Sequence, residues 1–488
     1  MKLKTILEGI PVLDVTGDLE TEISAVVLNS QQVTPGTLFI ALQGSRHDGH
    51  QFVAEAIARG AAAVMVERTV DVKPGVVRVI VEDTQAAQAL VGKNFYQDPA
   101  SKLKLIGVTG TKGKTTTTYL IRSLLNTAGL KTGLIGTIAN IINERKLPAR
   151  NSTPVALELQ QLLAEMVKAG MEYVVMEVSS HGIALNRIAG LSFLRGIFTN
   201  ISRDHLDFHH TFDEYFRTKT QFFQDLPPDG LAIVNLDDQG GQQIAADCRS
   251  LLSYGLTPEA QIRAEQVVST MHETQFTLVT PAGRIPVTLN LLGHFNVYNA
   301  LAAAALGYSL GLELDVLRQG LNRLTGVPGR FELVPGGKGY KVVVDYAHSP
   351  DSLENVLLTA QSLAKNRVIT VFGCGGNRDQ GKRPIMGRIA ARLSSHSIIT
   401  NDNPRREAPQ AIADQIKEGF EEEGQSSSYE VILDRAAAIK KAVSLAQEGD
   451  LVLIAGKGHE TYQDFGEYKV HFDDKEIAAL AMKEKEDA

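Results

Sequence analysis

The chain has little cysteine. Cys248 and Cys374 are its only two, far apart in sequence and in no metal-binding spacing. That excludes a cysteine metal motif and fits a reducing cytoplasm. No apolar run is long enough to cross a bilayer. The basic start Met1-Lys2-Leu3-Lys4 is not followed by a sustained apolar stretch or a small-residue cleavage site, so no signal peptide is expected. Positive charge is not in excess: 49 Lys and Arg face 56 Asp and Glu, a net charge of -7. General nucleic-acid binding is therefore not expected, and an anionic substrate must be met by local Lys and Arg. No internal repeat or low-complexity linker appears. What is present is 488 residues of ordinary apolar content, too long for one core and enough for roughly two to four domains.

The stretch Gly107-Val108-Thr109-Gly110-Thr111-Lys112-Gly113-Lys114-Thr115-Thr116-Thr117-Thr118 organises the rest. Leu103–Val108 reads as a buried strand, and Tyr119, Leu120, Ile121, Leu124 and Leu125 recur at helical spacing up to Gly129. A strand, a Gly-rich turn and a helix form a phosphate cradle of backbone N–H groups. Lys114 is placed to reach terminal phosphates and Thr115 to hold Mg²⁺. Val108 stands where the full Walker pattern has its first glycine, so the match is to a shorter variant.

Residues 1 to 98 read as a first unit, with strands at Val26–Leu28, Thr37–Ala41 and Ala63–Val66 and a helix at Phe52–Arg59. Its polar loops, Leu28–Gln31 and Gln43–His50, lie at strand ends. In the second unit, Asn151-Ser152-Thr153-Pro154 reads as a helix start with Thr153 as N-cap. Strand Tyr173–Val178 carries Glu177 at its end, where an acid on the Mg²⁺ side belongs. Strand Phe193–Thr199 leads into Asn200-Ile201-Ser202-Arg203-Asp204-His205-Leu206-Asp207-Phe208-His209, from which His205 or Asp204 is a candidate to join Glu177. Lys219, on an aromatic-studded helix, reads on spacing alone as an exposed lysine. More strands are expected over 230–292. Asn296 and Asn299 open an Ala-rich helix, as adenine readers or as caps. A turn-rich linker at Gly326–Arg330 closes the unit.

The third unit alternates strands Lys341–Asp345, Val368–Phe372, Ser397–Thr400, Tyr429–Leu433 and Leu451–Ala455 with helices after Pro350, Pro384, Pro409, Asp434 and Glu476. That is a doubly wound parallel sheet, whose site lies at the strand ends. The tail from Lys483 is expected to fray.

Together these motifs resemble the Mur ligases over essentially the whole chain. G-T-x-G-K-T-T-T, M-E-V-S-S-H-G, D-H-L-D-x-H, G-x-F-N-V-Y-N, P-G-R-F-E, D-Y-A-H-x-P, G-x-G-G-x-R-D-x-x-K-R-P and D-N-P-R are each weak alone and specific in combination. The resemblance implies an α/β fold of three domains: a UDP-sugar-binding domain (1–98), a central P-loop ATPase with a parallel sheet (99–330) and a C-terminal Rossmann-like domain (331–488). It implies a cytoplasmic, ATP-dependent amide ligase of peptidoglycan synthesis, expected as a monomer without membrane insertion. Its substrates would be UDP-MurNAc-L-Ala-D-Glu and a diamino acid, its cofactors ATP and Mg²⁺, and its intermediate an acyl phosphate.

By motif, Gly110, Thr111, Lys112, Gly113, Lys114, Thr115 and Thr116 are carried over as ATP-binding, and Thr115, Glu177 and His205 as metal-binding. Asn296, Arg330 and Asp345 match the set that handles ATP. Ser30, Ser152, Thr153, Ser179 and Arg187 match positions holding the UDP-sugar dipeptide. Lys219 falls where the family carries a carbamylated lysine. Asp402-Asn403-Pro404-Arg405 resembles the meso-diaminopimelate signature, with Arg405 suited to the distal carboxylate. Arg378, Gly456 and Glu460 match the remaining diamino-acid contacts, Glu460 suiting the distal ammonium. Two departures stand out. The first-domain loop reads Asn29-Ser30-Gln31 where D-S-R is usual, losing a carboxylate and a guanidinium, and Lys112 replaces a more usual Asn. The rival readings are a lysine-adding ligase, a folylpolyglutamate synthetase-like ligase and, from another class, a regulatory P-loop NTPase.

Overall fold

The computed structural model describes residues 1–44, 48–270, 272–425 and 428–487. Three residues of the predicted polar loop Gln43–His50, at 45–47, lie outside the described residues. The chain divides into two compact units: Met1–Arg263 with Leu301–Leu317, and Ala264–Ala300 with Arg318–Ala488.

The first unit holds two sheets. One is ordered Val12–Thr16, Val77–Val81, Ala61–Val66, Thr37–Ile40, Ala25–Val27, parallel except for the Val12–Thr16 edge. Of its inner strands, Ala61–Val66 is wholly apolar and Thr37–Ile40 wholly buried, as both faces of a covered parallel sheet demand. The other carries, side by side and all parallel, Leu251–Gly255, Leu231–Asn235, Phe193–Phe198, Lys104–Thr109, Tyr173–Glu177 and Thr132–Ile135, and continues past the last into antiparallel Ala139–Ile142 and Arg145–Pro148. Strand Lys104–Thr109 is central, with Glu177 registered to Val108 on one side and Phe198 to Thr109 on the other. The glycine turn, Glu177 and the Thr199–Asn200 segment therefore leave the sheet at adjacent C-terminal ends. Helix Gln239–Asp247 interrupts the region read as strands, its start capped by Asp238 Oδ1 accepting from Gly240 N and Gly241 N.

In the second unit, hairpin Thr274–Thr280 with Gly283–Leu289 precedes a six-stranded sheet. The order is Glu332–Val334, Lys341–Asp345, Leu451–Ala455, Val368–Phe372, His396–Ile399, Tyr429–Val431. The five predicted strands are parallel, and an antiparallel edge strand, Glu332–Val334, is added. One core includes Val343, Phe372, Ile399, Ile416 and Leu453, and another Val342, Val371, Ile398, Ile439 and Ile454, as alternation along each strand requires. The tail does not fray: helix Asp474–Asp487 runs to the end of the described residues. Lys485 Nζ fastens it by donating to Val443 O at 2.8 Å.

Its other end is fixed by charge. Arg435 Nε and Nη2 donate to the two oxygens of Asp474, both at 2.7 Å, and neither side chain meets solvent. Two more guanidinium N–H groups go to Asn401 O and Ala455 O, each at 3.1 Å. Removing one member of such a pair strands the other charge in the core. Arg435→Met is expected to cost about 3–5 kcal/mol, read as a lower urea midpoint for the full chain. An unchanged midpoint would show that the pair contributes nothing net.

Candidate active site

The glycine turn needs its glycines. Gly110 has φ +145°, and a Cβ there would lie 2.0 Å from Thr199 Oγ1. Gly113 has φ +85° and precedes helix Lys114–Thr127, whose N-terminus opens onto the turn. Lys114 Nζ donates to Gly110 O at 2.9 Å and to Thr111 O at 2.8 Å. Thr115 and Thr116 are buried in the first helical turn. Thr115 Oγ1 donates to Glu177 Oε1 at 3.0 Å. Glu177 is 1 % exposed and also accepts from Thr137 N at 2.8 Å and Thr137 Oγ1 at 2.9 Å.

The segment after Phe198 braces this turn. Asn200 Oδ1 accepts from Lys112 N at 3.0 Å, its Nδ2 donates to Lys112 O at 3.1 Å, and its carbonyl accepts from Thr111 N at 2.8 Å. Thr111 Oγ1 lies 3.0 Å from Tyr215 Oη. Sequence reasoning gave Asn200, Thr137 and Tyr215 no role. For Asn200 a signal existed, since it follows the strand paired with the P-loop strand.

Lys219 is not an exposed helix lysine. It is 1 % exposed, and its Nζ donates to Gly110 O at 2.9 Å and lies 4.8 Å from the Tyr215 ring centre. Burial, with the nearby Lys114 charge adding to it, holds the amine well below the usual lysine range. The helical periodicity missed this because the buried face of Phe212–Gln224 carries Lys219 in line with Tyr215, Phe222 and Phe223.

His205 has left-handed backbone, φ +54°, and packs edge-on to His181 at 4.8 Å between ring centres. Burial lowers the pKa of both, that of His181 to about 4. No group of three or more His, Cys, Asp or Glu among the described residues is arranged to hold a metal. Thr115 and Glu177 do form an all-oxygen donor pair beside a phosphate turn. That chemistry fits Mg²⁺, which takes one or two protein oxygens and fills the rest with phosphate and water.

Thr153 is not a helix cap. The helix starts at Ala156 after Val155, and Thr153 Oγ1 instead donates to Glu177 O at 2.8 Å and accepts from Ser179 N at 3.0 Å. Gly182 makes room, since a Cβ there would lie 2.7 Å from the Thr153 methyl. Ser179 caps the next helix through Gly182 N, and Arg187 Nη1 donates to Thr153 O at 2.8 Å. Ser152 Oγ lies 2.6 Å from Thr137 Oγ1, which joins this cluster to Glu177. Ser30 is apart from it. Its Oγ donates to Glu55 Oε2 at 2.9 Å in a cleft of about 370 Å³ lined by Leu28, Asn29, Gln31, Leu42 and Phe52.

In the second unit, Asn296 and Asn299 are buried within helix Phe295–Ser309. Asn296 Nδ2 donates to Leu292 O at 2.7 Å, and Asn299 Nδ2 to Asn296 Oδ1 at 2.9 Å. Asp345 accepts from Phe331 N and Ala347 N, both at 2.7 Å. The Arg330 guanidinium lies 5.0 Å from the Tyr346 ring centre, and burial pushes that phenol up to about 12.

At the other strand ends, Gly373–Asn377 interlocks with Asp402–Arg405. Gly376 N donates to Asn403 O at 2.9 Å, and a Cβ on Gly376 would lie 1.9 Å from Pro404 O. Arg405 has φ +52°; its Nη1 donates to Gly376 O at 2.7 Å, and its Nε lies 3.8 Å from Asp464 Oδ2. Asn403 Nδ2 donates to Glu460 Oε2 at 2.9 Å. Asp402 Oδ2 is buried without a hydrogen-bond partner and would lie 2.5 Å from a Cβ on Gly456. Arg378 is exposed at the edge. Arg405 and Asn403 stand two residues apart in one strand-end loop, and Asn403 links that loop to Glu460.

Three domain profiles match: "Mur ligase family, catalytic domain" over residues 22–100, "Mur ligase middle domain" over 108–307 and "Mur ligase, glutamate ligase domain" over 329–458. A Clostridium acetobutylicum protein named UDP-N-acetylmuramoyl-L-alanyl-D-glutamate–2,6-diaminopimelate ligase 1 is 43% identical over 99% of this chain and 100% of its own length. The chain belongs to the Mur ligase family. A Bacillus cereus Mur ligase, named as a 2,6-diaminopimelate ligase, is also 43% identical, over 99% of this chain and 98% of its own. A solved structure titled as such a ligase superposes with a TM-score of 0.69 at 32% identity, covering 100% of this chain and 99% of that one. A Thermotoga maritima MurF ligase in complex with ADP shares the fold, with a TM-score of 0.67 at 20% identity over 96% of this chain and 99% of its own. The three-domain α/β architecture of the Mur ligases is therefore this chain's architecture.

Proposed function

We propose that this Mur ligase adds meso-diaminopimelate to the D-Glu γ-carboxylate of UDP-MurNAc-L-Ala-D-Glu at the expense of ATP. The observation that carries the substrate choice is that one set of strand-end loops holds both Arg405, tied by Nη1 to Gly376 O, and Glu460, tied by Oε2 to Asn403 Nδ2. A guanidinium suits a distal carboxylate and a carboxylate suits a distal ammonium. Lysine lacks the former. The names of the full-length relatives support the same choice.

In this reading residues 1–98 hold the UDP-sugar, 99–330 bind ATP and 331–488 take the diamino acid. Gly110–Thr116 cradle the ATP phosphates, and Lys114 neutralises charge on the transferred group. The γ-carboxylate takes the γ-phosphoryl group and ADP leaves. The incoming amine attacks the acyl carbon, the tetrahedral intermediate expels phosphate, and the amine proton departs. Ser152, Thr153, Ser179 and Arg187 hold the dipeptide, Ser30 the nucleotide end, and Asn296, Arg330 and Asp345 serve ATP. Thr115 and Glu177, with His205 and a carbamylated Lys219, would hold Mg²⁺, which when bound supplies charge stabilisation at the phosphates. The setting is the cytoplasm, and the working form a monomer.

Phosphate release is the test. It is expected to require both the UDP-dipeptide and meso-diaminopimelate, and to fall to background when either is left out. Release that needs neither substrate would support the switch-type NTPase and sink the ligase reading.

A further inference from the structure

Lys457 belongs to a motif loop yet has no role in the reaction as described. Its side chain is fully buried. A lysine in that position must have its ammonium satisfied. Lys457 Nζ donates to Asn403 Oδ1 at 3.0 Å and to Glu460 Oε2 at 3.3 Å, and sits 5.5 Å from the Tyr462 ring centre.

These bonds decide how two neighbours are oriented. An amide offers an acceptor on one side and donors on the other. Asn403 Oδ1 takes both Lys457 Nζ and Asp464 N, the latter at 2.9 Å. Its Nδ2 is thereby turned to Glu460 Oε2. The same oxygen receives Lys457, so both donors hold one lobe of the Glu460 carboxylate. Oε1 is left as the lobe presented for a further donor.

We infer that Lys457 is a positioning residue for the distal amine of the diamino acid: it locks the Asn403 amide and the Glu460 carboxylate so that Glu460 Oε1 faces that amine. This rests on the proposed diaminopimelate reading. It adds a determinant of substrate choice that does not itself contact substrate. A preorganised acceptor discriminates more sharply than a mobile one.

The test compares meso-diaminopimelate with 2-aminopimelate, which keeps the distal carboxylate and lacks the distal amine. In the wild type, kcat/KM is expected to favour meso-diaminopimelate. Lys457→Met is expected to cut that preference at least tenfold through the KM for meso-diaminopimelate, with KM for ATP within about twofold. Glu460→Gln, which keeps the side-chain volume and serves if K457M does not fold, is expected to cut the preference by a similar factor. The double variant should lose no more than either single one. An equal loss on both amino acids, an additive double variant, or tighter binding of meso-diaminopimelate in K457M would overturn the inference. If the wild type does not use meso-diaminopimelate, it is the substrate reading that fails.

Discussion

Lys219→Ala is expected to lower kcat by about 10²–10³-fold, the usual cost of removing one preorganised electrostatic group from a transferring centre. The lysine lies under the phosphate turn, bonded to Gly110 O, with burial and Lys114 both disfavouring its charged form. A neutral amine is a nucleophile for CO₂. Its nitrogen would bond to carbon and lose a proton, converting a neutral amine beside Lys114 into a carboxylate that can ligate metal. Wild-type activity is therefore expected to fall in CO₂-depleted buffer and to return with bicarbonate, while K219A stays low in both. A ¹³C carbamate signal after ¹³CO₂ exposure, absent from K219A, is the direct check. Activity indifferent to CO₂ would leave Lys219 as a plain buried amine.

Arg405→Ala should reduce kcat/KM for meso-diaminopimelate by about 10²–10³-fold, because on the proposed reading truncation would leave the distal carboxylate without a charge-assisted partner. The backbone of Arg405 is fixed by its own N–H to Asp464 O at 2.9 Å, so the loss should stay local. KM for ATP is expected to be unchanged. Arg405→Lys should not restore the rate, since a single ammonium cannot reproduce the planar fork. Wild-type discrimination against lysine should largely disappear in R405A. Equal use of lysine and meso-diaminopimelate by the wild type would remove the basis of this prediction.

Much of this was legible because chemistry and periodicity coincide. The third-unit strands show as short apolar runs, and the P-loop shows as glycines at fixed offsets from a lysine. Thr153 misled because Thr-Pro before an apolar helix is a capping signature, and only the fold brings Glu177 O and Ser179 N within reach of its hydroxyl. Lys219 was readable only by resemblance, since helical spacing cannot tell a buried lysine from an exposed one. Thr137 carried no local signal, its partner Glu177 lying 40 residues away, and the bond from Lys457 to Asn403 spans 54 residues, although Lys457 also reaches Glu460 three residues on. The frayed tail was a default for polar termini, overridden by contacts such as that of Lys485 with the Val443 carbonyl.

The bridge Glu177–Thr137–Ser152 also has a direction. The single hydroxyl proton of Thr137 is donated to Glu177 Oε2. The 2.6 Å contact with Ser152 must then run the other way, with Ser152 giving its proton to Thr137. Ser152 is left with lone pairs alone for anything that docks against it. It can receive an amide N–H and would repel a carboxylate, so Glu177, two hydrogen bonds away, sets what that hydroxyl can bind.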